Sequence, residues 1–493
     1  MTSTSTSATT EATEATEATD EALTAPAASD AGAGWIVGIV AMCVLLTVAN
    51  TSMVNVALPA IGDQFGASAA RLGWLVTAYS LTFGVATPFY GRLGDRYGLR
   101  RMFVIGLCIF AAASLLAGIA PSFPLLLLAR ALQAFGSAAI PSLGIAMIAR
   151  VIPSERRGSA LGIVATAVGT GSALGPTLGG VLTQFVSWRM VFLVSAALGL
   201  LIPFCLRHLP TGRGGQLGPI DWFGGVTLGA TIAGLLLGIA GIQREGLGSP
   251  LVVGSLSVAV VALGLTIWRQ RTALSPFVDR VLVANRRYLL LCVIGFCAMA
   301  GNIGTLVVAP FLFKEIHGLS AGETGLALLP SAVAVTLLSR FAGKLADRVN
   351  PFMLMTGGFA VSLTTVTIMA TLGVGWSAPM FAMLAVGLGV GQAFLNSPLS
   401  TTLTRTVPQR VYGSGLGIYN MLFFVGSGFG AALSTAVLDS RRDASTGLPL
   451  YTGPSEYAEF SWAFLVAISA FASGLVLLRF AARANPAMPA IEQ

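Results

Sequence analysis

Gly91-Arg92-Leu93-Gly94-Asp95-Arg96-Tyr97-Gly98-Leu99-Arg100-Arg101 separates two strongly apolar stretches of the chain. It combines glycines, which allow a tight turn, with one carboxylate and four arginines. A carboxylate so placed can sit at a helix N-terminus and pair with arginines, a latch that breaks and re-forms as two bodies rock. The plainer reading is a turn whose arginines reflect the basic excess on the cytoplasmic side of a membrane. A shorter copy, Gly343-Lys344-Leu345-Ala346-Asp347-Arg348, favours the latch.

The copy belongs to a longer repeat. Asn50, Gly66, Ser68, Gly73, Gly91 and Asp95 recur as Asn302, Gly318, Ser320, Gly325, Gly343 and Asp347 at an offset of 252. Arg150, Pro153, Gly162, Gly171 and Gly175 recur as Arg405, Pro408, Gly417, Gly426 and Gly430 at an offset of 255. Two six-helix halves in parallel orientation account for this. Six spans with short loops take roughly 195 residues, so the offset leaves room for two more helices between the halves.

Composition agrees. Of 493 residues 10% are charged and 55% hydrophobic, and the mean hydropathy is +0.82. Soluble proteins carry about 25% charged residues, so most of this chain must face lipid or other helices. Fourteen apolar runs are long enough to span a bilayer: 35–60, 73–91, 102–120, 123–149, 159–182, 190–206, 222–243, 250–268, 288–313, 324–343, 351–373, 376–402, 413–438 and 459–481. Twenty Lys and Arg fall in the even-numbered gaps and the C-terminal tail against six in the odd-numbered gaps, which places both termini in the cytoplasm. The net charge of +8 therefore implies no nucleic-acid partner. The expected organisation is a disordered acidic tail (1–34), a six-helix half (35–206), a linker with two inserted helices (207–287), a second six-helix half (288–481) and a short tail (482–493). The fold class is an all-α polytopic membrane protein with pseudo-symmetric halves.

Cys43, Cys108, Cys205, Cys292 and Cys297 lack metal-ligand or disulfide spacing and read as small buried hydrophobes. No metal or cofactor is implied. No Gly-x4-Gly-Lys-Ser/Thr loop is present, so ATP is not the expected energy source. No His/Asp/Glu cluster suggests an enzyme.

Helix 5 carries Gly162, Gly171, Gly175-Pro176 and Gly179-Gly180, a flat face for close packing with a proline kink. In the second half Ala431 stands where Pro176 sits. Helix 4 carries Arg130 and Gln133 in Leu128-Ala129-Arg130-Ala131-Leu132-Gln133-Ala134-Phe135-Gly136. An arginine within a span costs about 2.5–3.5 kcal/mol to insert, so it must face a wet cavity or a partner. Helix 1 ends Asn50-Thr51-Ser52-Met53-Val54-Asn55, helix 2 begins Trp74-Leu75-Val76-Thr77-Ala78-Tyr79, and Asp221-Trp222-Phe223-Gly224 introduces helix 7.

Together these motifs resemble the major facilitator superfamily, and the plan of six plus two plus six helices resembles its fourteen-helix drug:proton antiporter branch, over about residues 35–480. The resemblance implies a gating motif at Gly91, Asp95, Arg96, Gly98, Arg100, Arg101, Gly343, Asp347 and Arg348. It also makes the helix 5 glycines an antiporter signature. Its implied function is export of amphipathic drugs or antibiotics on inward proton flow, conferring resistance or self-protection. One position departs: Asn50 stands where that branch usually has an aspartate. The chain's acids lie in loops, helix ends and tails, as do His208 and His317, leaving Arg130 and potentially Arg340 in the membrane interior without counter-charge. Such a cavity favours neutral or anionic cargo. Protons would titrate Asp95, Glu315 or Glu323, or travel on a weakly acidic cargo. Further cavity candidates are Asn50, Thr51, Asn55, Thr77, Tyr79, Asn302, Gln392, Asn396, Tyr419 and Asn420, each alternatively an interhelical hydrogen bond. Phe423 and Phe424 read as packing or lipid contacts. The competing function is metabolite import on the same fold.

Overall fold

The computed structural model describes residues 30–484 except 68, 212–218, 247, 320, 442–446 and 450. Most of the expected N-terminal tail, most of the short C-terminal tail, and repeat positions Ser68 and Ser320 lie outside the described residues. Fourteen long helical rods follow one another: α1 (Asp30–Phe65), α2 (Ala69–Tyr97), α3 (Leu99–Gly118), α4 (Phe123–Val151), α5 (Arg157–Phe185), α6 (Arg189–His208), α7 (Trp222–Glu245), α8 (Pro250–Thr272), α9 (Arg286–His317), α10 (Ala321–Arg348), α11 (Pro351–Thr371), α12 (Ala378–Thr406), α13 (Tyr412–Ser440) and α14 (Ala458–Arg483). A short helix at Arg280–Ala284 precedes α9. Among the described residues there is no strand. Thirteen of the rods are long and apolar enough to cross a membrane, and α2, at 29 residues, is long enough but more polar. This is a multi-pass membrane protein.

Local chemistry sets the rod ends. Asp221 caps α7 by accepting from the Gly224 N–H at 3.1 Å, and Asn285 caps α9 by accepting from the Tyr288 N–H at 3.0 Å. Gly66 and Gly318, one repeat apart, follow α1 and α9 at φ of 57° and 63°, where a side chain would be strained. The rod α4 breaks at Ala138 because Pro141 cannot donate to the Ser137 carbonyl four residues earlier.

The signature stretch departs from the expected turn. Gly91 and Gly94 lie inside α2, and only Gly98, at φ 97°, breaks the chain. The second copy lies wholly inside α10. These glycines serve close approach: a Cβ on Gly91 would collide with the Gly413 carbonyl, and one on Gly343 with the Gly158 carbonyl.

The helix 5 glycines face two neighbours. Added Cβ atoms on Gly171, Gly175 and Gly179 would fall 2.6 Å from Leu45 O, 2.5 Å from Ser52 Cβ and 2.6 Å from Met53 Cα of α1. On Gly162 one would fall 2.8 Å from Ser339 O of α10. Gly180 is different, with only Val56 at 3.9 Å. Gly426 and Gly430 of α13 pack in the same way on Phe296 and Ala300 of α9. The inserted α7 lies over the seam between α2 and α13, where Ile232 and Leu236 join a small apolar core with Met421 and Val425. α8 packs on α7.

Two smaller expectations change. Cys108 is exposed, whereas the other four cysteines are buried. His208 and His317 occupy the last turns of α6 and α9 rather than loops.

Candidate functional site

At one end of the bundle the two halves lock together. Asp95 is fully buried and accepts from the Gly413 N–H at 2.8 Å and from the N–H and hydroxyl of Ser414, both at 2.7 Å, in the first turn of α13. Asp347 accepts from the Gly158 and Ser159 N–H groups, both at 2.7 Å, in the first turn of α5. A helix N-terminus presents unpaired N–H groups and partial positive charge, which suits a carboxylate. Arg150 approaches Asp95 at 3.4 Å and donates to Gln409 O at 3.2 Å. Arg405 approaches Asp347 at 3.8 Å and donates to Ser154 O at 2.8 Å. Each half thus supplies a carboxylate to the other's helix terminus and an arginine to the other's loop.

Within the first half, on α4, sits a buried cation. Arg130 is 1% exposed. Its Nη1 donates to Asn50 Oδ1 at 3.1 Å and to Gln133 Oε1 at 2.5 Å. Asn50 Nδ2 in turn donates to Ser195 Oγ at 2.7 Å, and Gln133 Nε2 to Ser114 Oγ at 2.7 Å. Both serines spend their hydrogens on their own helices, on Val191 O and Phe110 O. The amide oxygens are thereby turned toward the guanidinium. Tyr79 lays its ring 4.2 Å from Arg130 Cζ and donates its hydroxyl to Ser137 Oγ at 2.9 Å. Nε of Arg130 is buried without a partner, and no carboxylate reaches the group among the described residues.

The sequence profile of the Major Facilitator Superfamily matches residues 40–431. The chain belongs to the Major Facilitator Superfamily. Within it, the protein is similar to the MFS-type transporter Rv1250 of Mycobacterium tuberculosis, at 29% identity covering 82% of this chain and 71% of that one. It is 26% identical to the lincomycin resistance protein LmrB of Listeria monocytogenes, covering 87% and 91%, and 28% identical to the multidrug resistance protein Stp of Mycobacterium tuberculosis, covering 78% and 72%. The crystal structure of the human organic anion transporter MFSD10 (TETRAN) superposes with a TM-score of 0.65 at 15% identity, covering 90% of this chain and 99% of that one. That likeness is one of fold.

The other sequence candidates of this superfamily member fall in several environments. Asn302, Gln392 and Asn420 are buried, Asn396 is half-buried and Asn55 is exposed. Gln392 Nε2 lies 3.4 Å from Asn396 Oδ1, while Gln392 Oε1 is buried with no partner among the described residues. Asn420 donates across the halves to Ser142 Oγ at 3.2 Å. Thr77 donates to Gly73 O at 3.0 Å. Phe424 packs edge-on against Phe83 of the other half, with centroids 4.5 Å apart. Arg96 lies over the Tyr97 ring, Arg100 donates to Leu206 O, and Arg101 is exposed. The sequence reading missed Ser114, Ser195, and the two N–H pairs that receive Asp95 and Asp347. The last were legible: Gly158-Ser159 recur as Gly413-Ser414 at the same offset of 255 that relates Arg150 to Arg405.

Proposed function

We propose that this transporter is a secondary active exporter of amphipathic antibiotics, drugs or secondary metabolites, working by alternating access in the cell membrane with both termini cytoplasmic. Neutral or anionic cargo is favoured, and inward proton flow drives export. The observation that carries the cargo class is Arg130, a buried guanidinium held by amide oxygens and a ring, with no carboxylate among the described residues to neutralise it. An uncompensated cation in a low-dielectric interior repels cations and attracts anions. The reciprocal closure by Asp95 and Asp347 supports alternating access, since it is made of contacts that rocking can break and re-form. With the positive-inside orientation, the closed end is the cytoplasmic one. The resistance names of LmrB and Stp support export.

The test is flux into everted membrane vesicles of cells overproducing the protein, with a matched panel of anionic, neutral and cationic amphiphiles. Proton-gradient-dependent accumulation of anionic or neutral compounds, abolished by an uncoupler and by Arg130→Met, is the expected outcome. Preferential transport of cations unaffected by Arg130→Met would overturn the cargo assignment, and gradient-driven loss of cargo from the same vesicles would point to import.

A further inference from the structure

The motif end carries a second basic feature on its outer surface, which the proposed transport cycle does not use. Where α2 gives way to α3 at Gly98, the end of α6 approaches, leaving a concavity of about 360 Å³. Arg100 and Arg101 line it together with Tyr97, Thr211 and the aliphatic Val104, Ile105 and Leu206. Arg100 donates to the Leu206 carbonyl at the end of α6, and its other N–H donors have no partner among the described residues. Arg101 is exposed and has no hydrogen bond or ion pair among the described residues. Among the described residues no acidic one lines the concavity. The nearest carboxylate in sequence, Asp95, faces inward with its oxygens occupied by α13.

Beside these arginines the surface is apolar. Ile105, Cys108, Leu115 and Ile119 form one exposed stripe of α3 at helical spacing, and Leu206 is exposed on α6 across the concavity from it. Tyr97 stands at the boundary, where amphipathic rings settle in membranes. Free guanidinium donors above a lane of exposed aliphatic side chains match the two ends of a phospholipid, with phosphate oxygens on the arginines and an acyl chain along the stripe.

We infer that this concavity is a binding site for an anionic phospholipid of the leaflet at the motif end, held by Arg100 and Arg101. A lipid seated here touches both α2–α3 and α6, so it braces the junction that follows Asp95. The commitment is to a lipid rather than free phosphate, because the lining includes Val104, Ile105 and Leu206, and Ile105 also begins the exposed apolar stripe of α3.

The experiment is native mass spectrometry of the full-length protein in detergent, titrated with phosphatidylglycerol, phosphatidylcholine or inorganic phosphate. The variants are Arg101→Gln, Arg100→Gln/Arg101→Gln, and the charge-matched control Arg271→Gln/Arg410→Gln, whose arginines are exposed away from the concavity. Retention of phosphatidylglycerol over phosphatidylcholine by the wild type is expected, falling about fivefold for each of the two arginines removed and unchanged in the control. Among the described residues Arg101 makes no hydrogen bond or ion pair, so Arg101→Gln tests the site even if removing Arg100 loosens α6. Equal retention of both lipids, equal loss in the control, or phosphate binding as tight as lipid binding would overturn the inference.

Discussion

Asp95 and Ser414, 319 positions apart in the chain, are joined by two hydrogen bonds of 2.7 Å, one from the Ser414 N–H and one from its hydroxyl. Asp347 accepts from the N–H groups of Gly158 and Ser159, and among the described residues from no hydroxyl. Ser414 and Ser159 occupy equivalent repeat positions, so the halves share a design and differ by one hydroxyl hydrogen bond.

That difference sets the order of two substitutions. Asp95→Asn turns an amide nitrogen toward donors that need an acceptor, and charged hydrogen bonds contribute about 1.5–3 kcal/mol each. We expect the population closed at the motif end to fall by about tenfold or more in Asp95→Asn and by less in Asp347→Asn. Distances between spin labels at the motif ends of α2 and α13 in the full-length protein measure it, and equal shifts in the two variants would contradict the asymmetry.

The glycines of α5 sort by contact rather than by membership of the motif. Gly175→Ala and Gly179→Ala drive a methyl into α1, and overpacking of this kind costs about 1–3 kcal/mol. Gly180→Ala meets only ordinary van der Waals contact. Thermal unfolding in detergent is expected to show lower Tm for the first two, with near wild-type Tm and transport for Gly180→Ala.

Asn50 and Arg130 invite a gain-of-function exchange. Asn50→Asp places a carboxylate where an amide oxygen lies 3.1 Å from Arg130 Nη1, and Ser195 must swing its hydrogen from Val191 O to the new acceptor. Neutralising the interior cation is expected to raise transport of lipophilic cations relative to anions by about fivefold, the effect of about 1 kcal/mol. Competition flux with one dye of each charge is the check. An unchanged ratio would separate Arg130 from cargo selection.

Asp221 both caps α7 and holds Arg269 of α8, with Nε 3.0 Å from Oδ1. Asp221→Ala removes a cap contributing about 0.5–2 kcal/mol together with the ion pair. Arg269→Ala leaves the cap intact and removes a half-exposed charge, for which a smaller effect is expected. Tm values for the pair give the order.

The helices were legible because apolar runs of bilayer length have few other fates. The repeat was legible as well, down to Gly66 and Gly318 with their matching positive φ. The signature glycines were misread as turn formers because sequence spacing does not show which neighbour comes close; Gly91 and Gly343 are small for the sake of Gly413 and Gly158. The surroundings of Arg130 were half legible. Gln133 lies one helical turn away on the same face, but Asn50, Ser114 and Ser195 come from three other rods, and no local pattern announces that they converge.

The helix α7 lies across the α2–α13 seam, while among the described residues no extra helix covers the corresponding α5–α10 seam. A twofold-related pair of flanks has thus become a shuttered flank and a bare one. The inserted pair therefore breaks the equivalence of the two sides: α2 and α13 meet their surroundings past a third helix, whereas α5 and α10 have no such cover among the described residues.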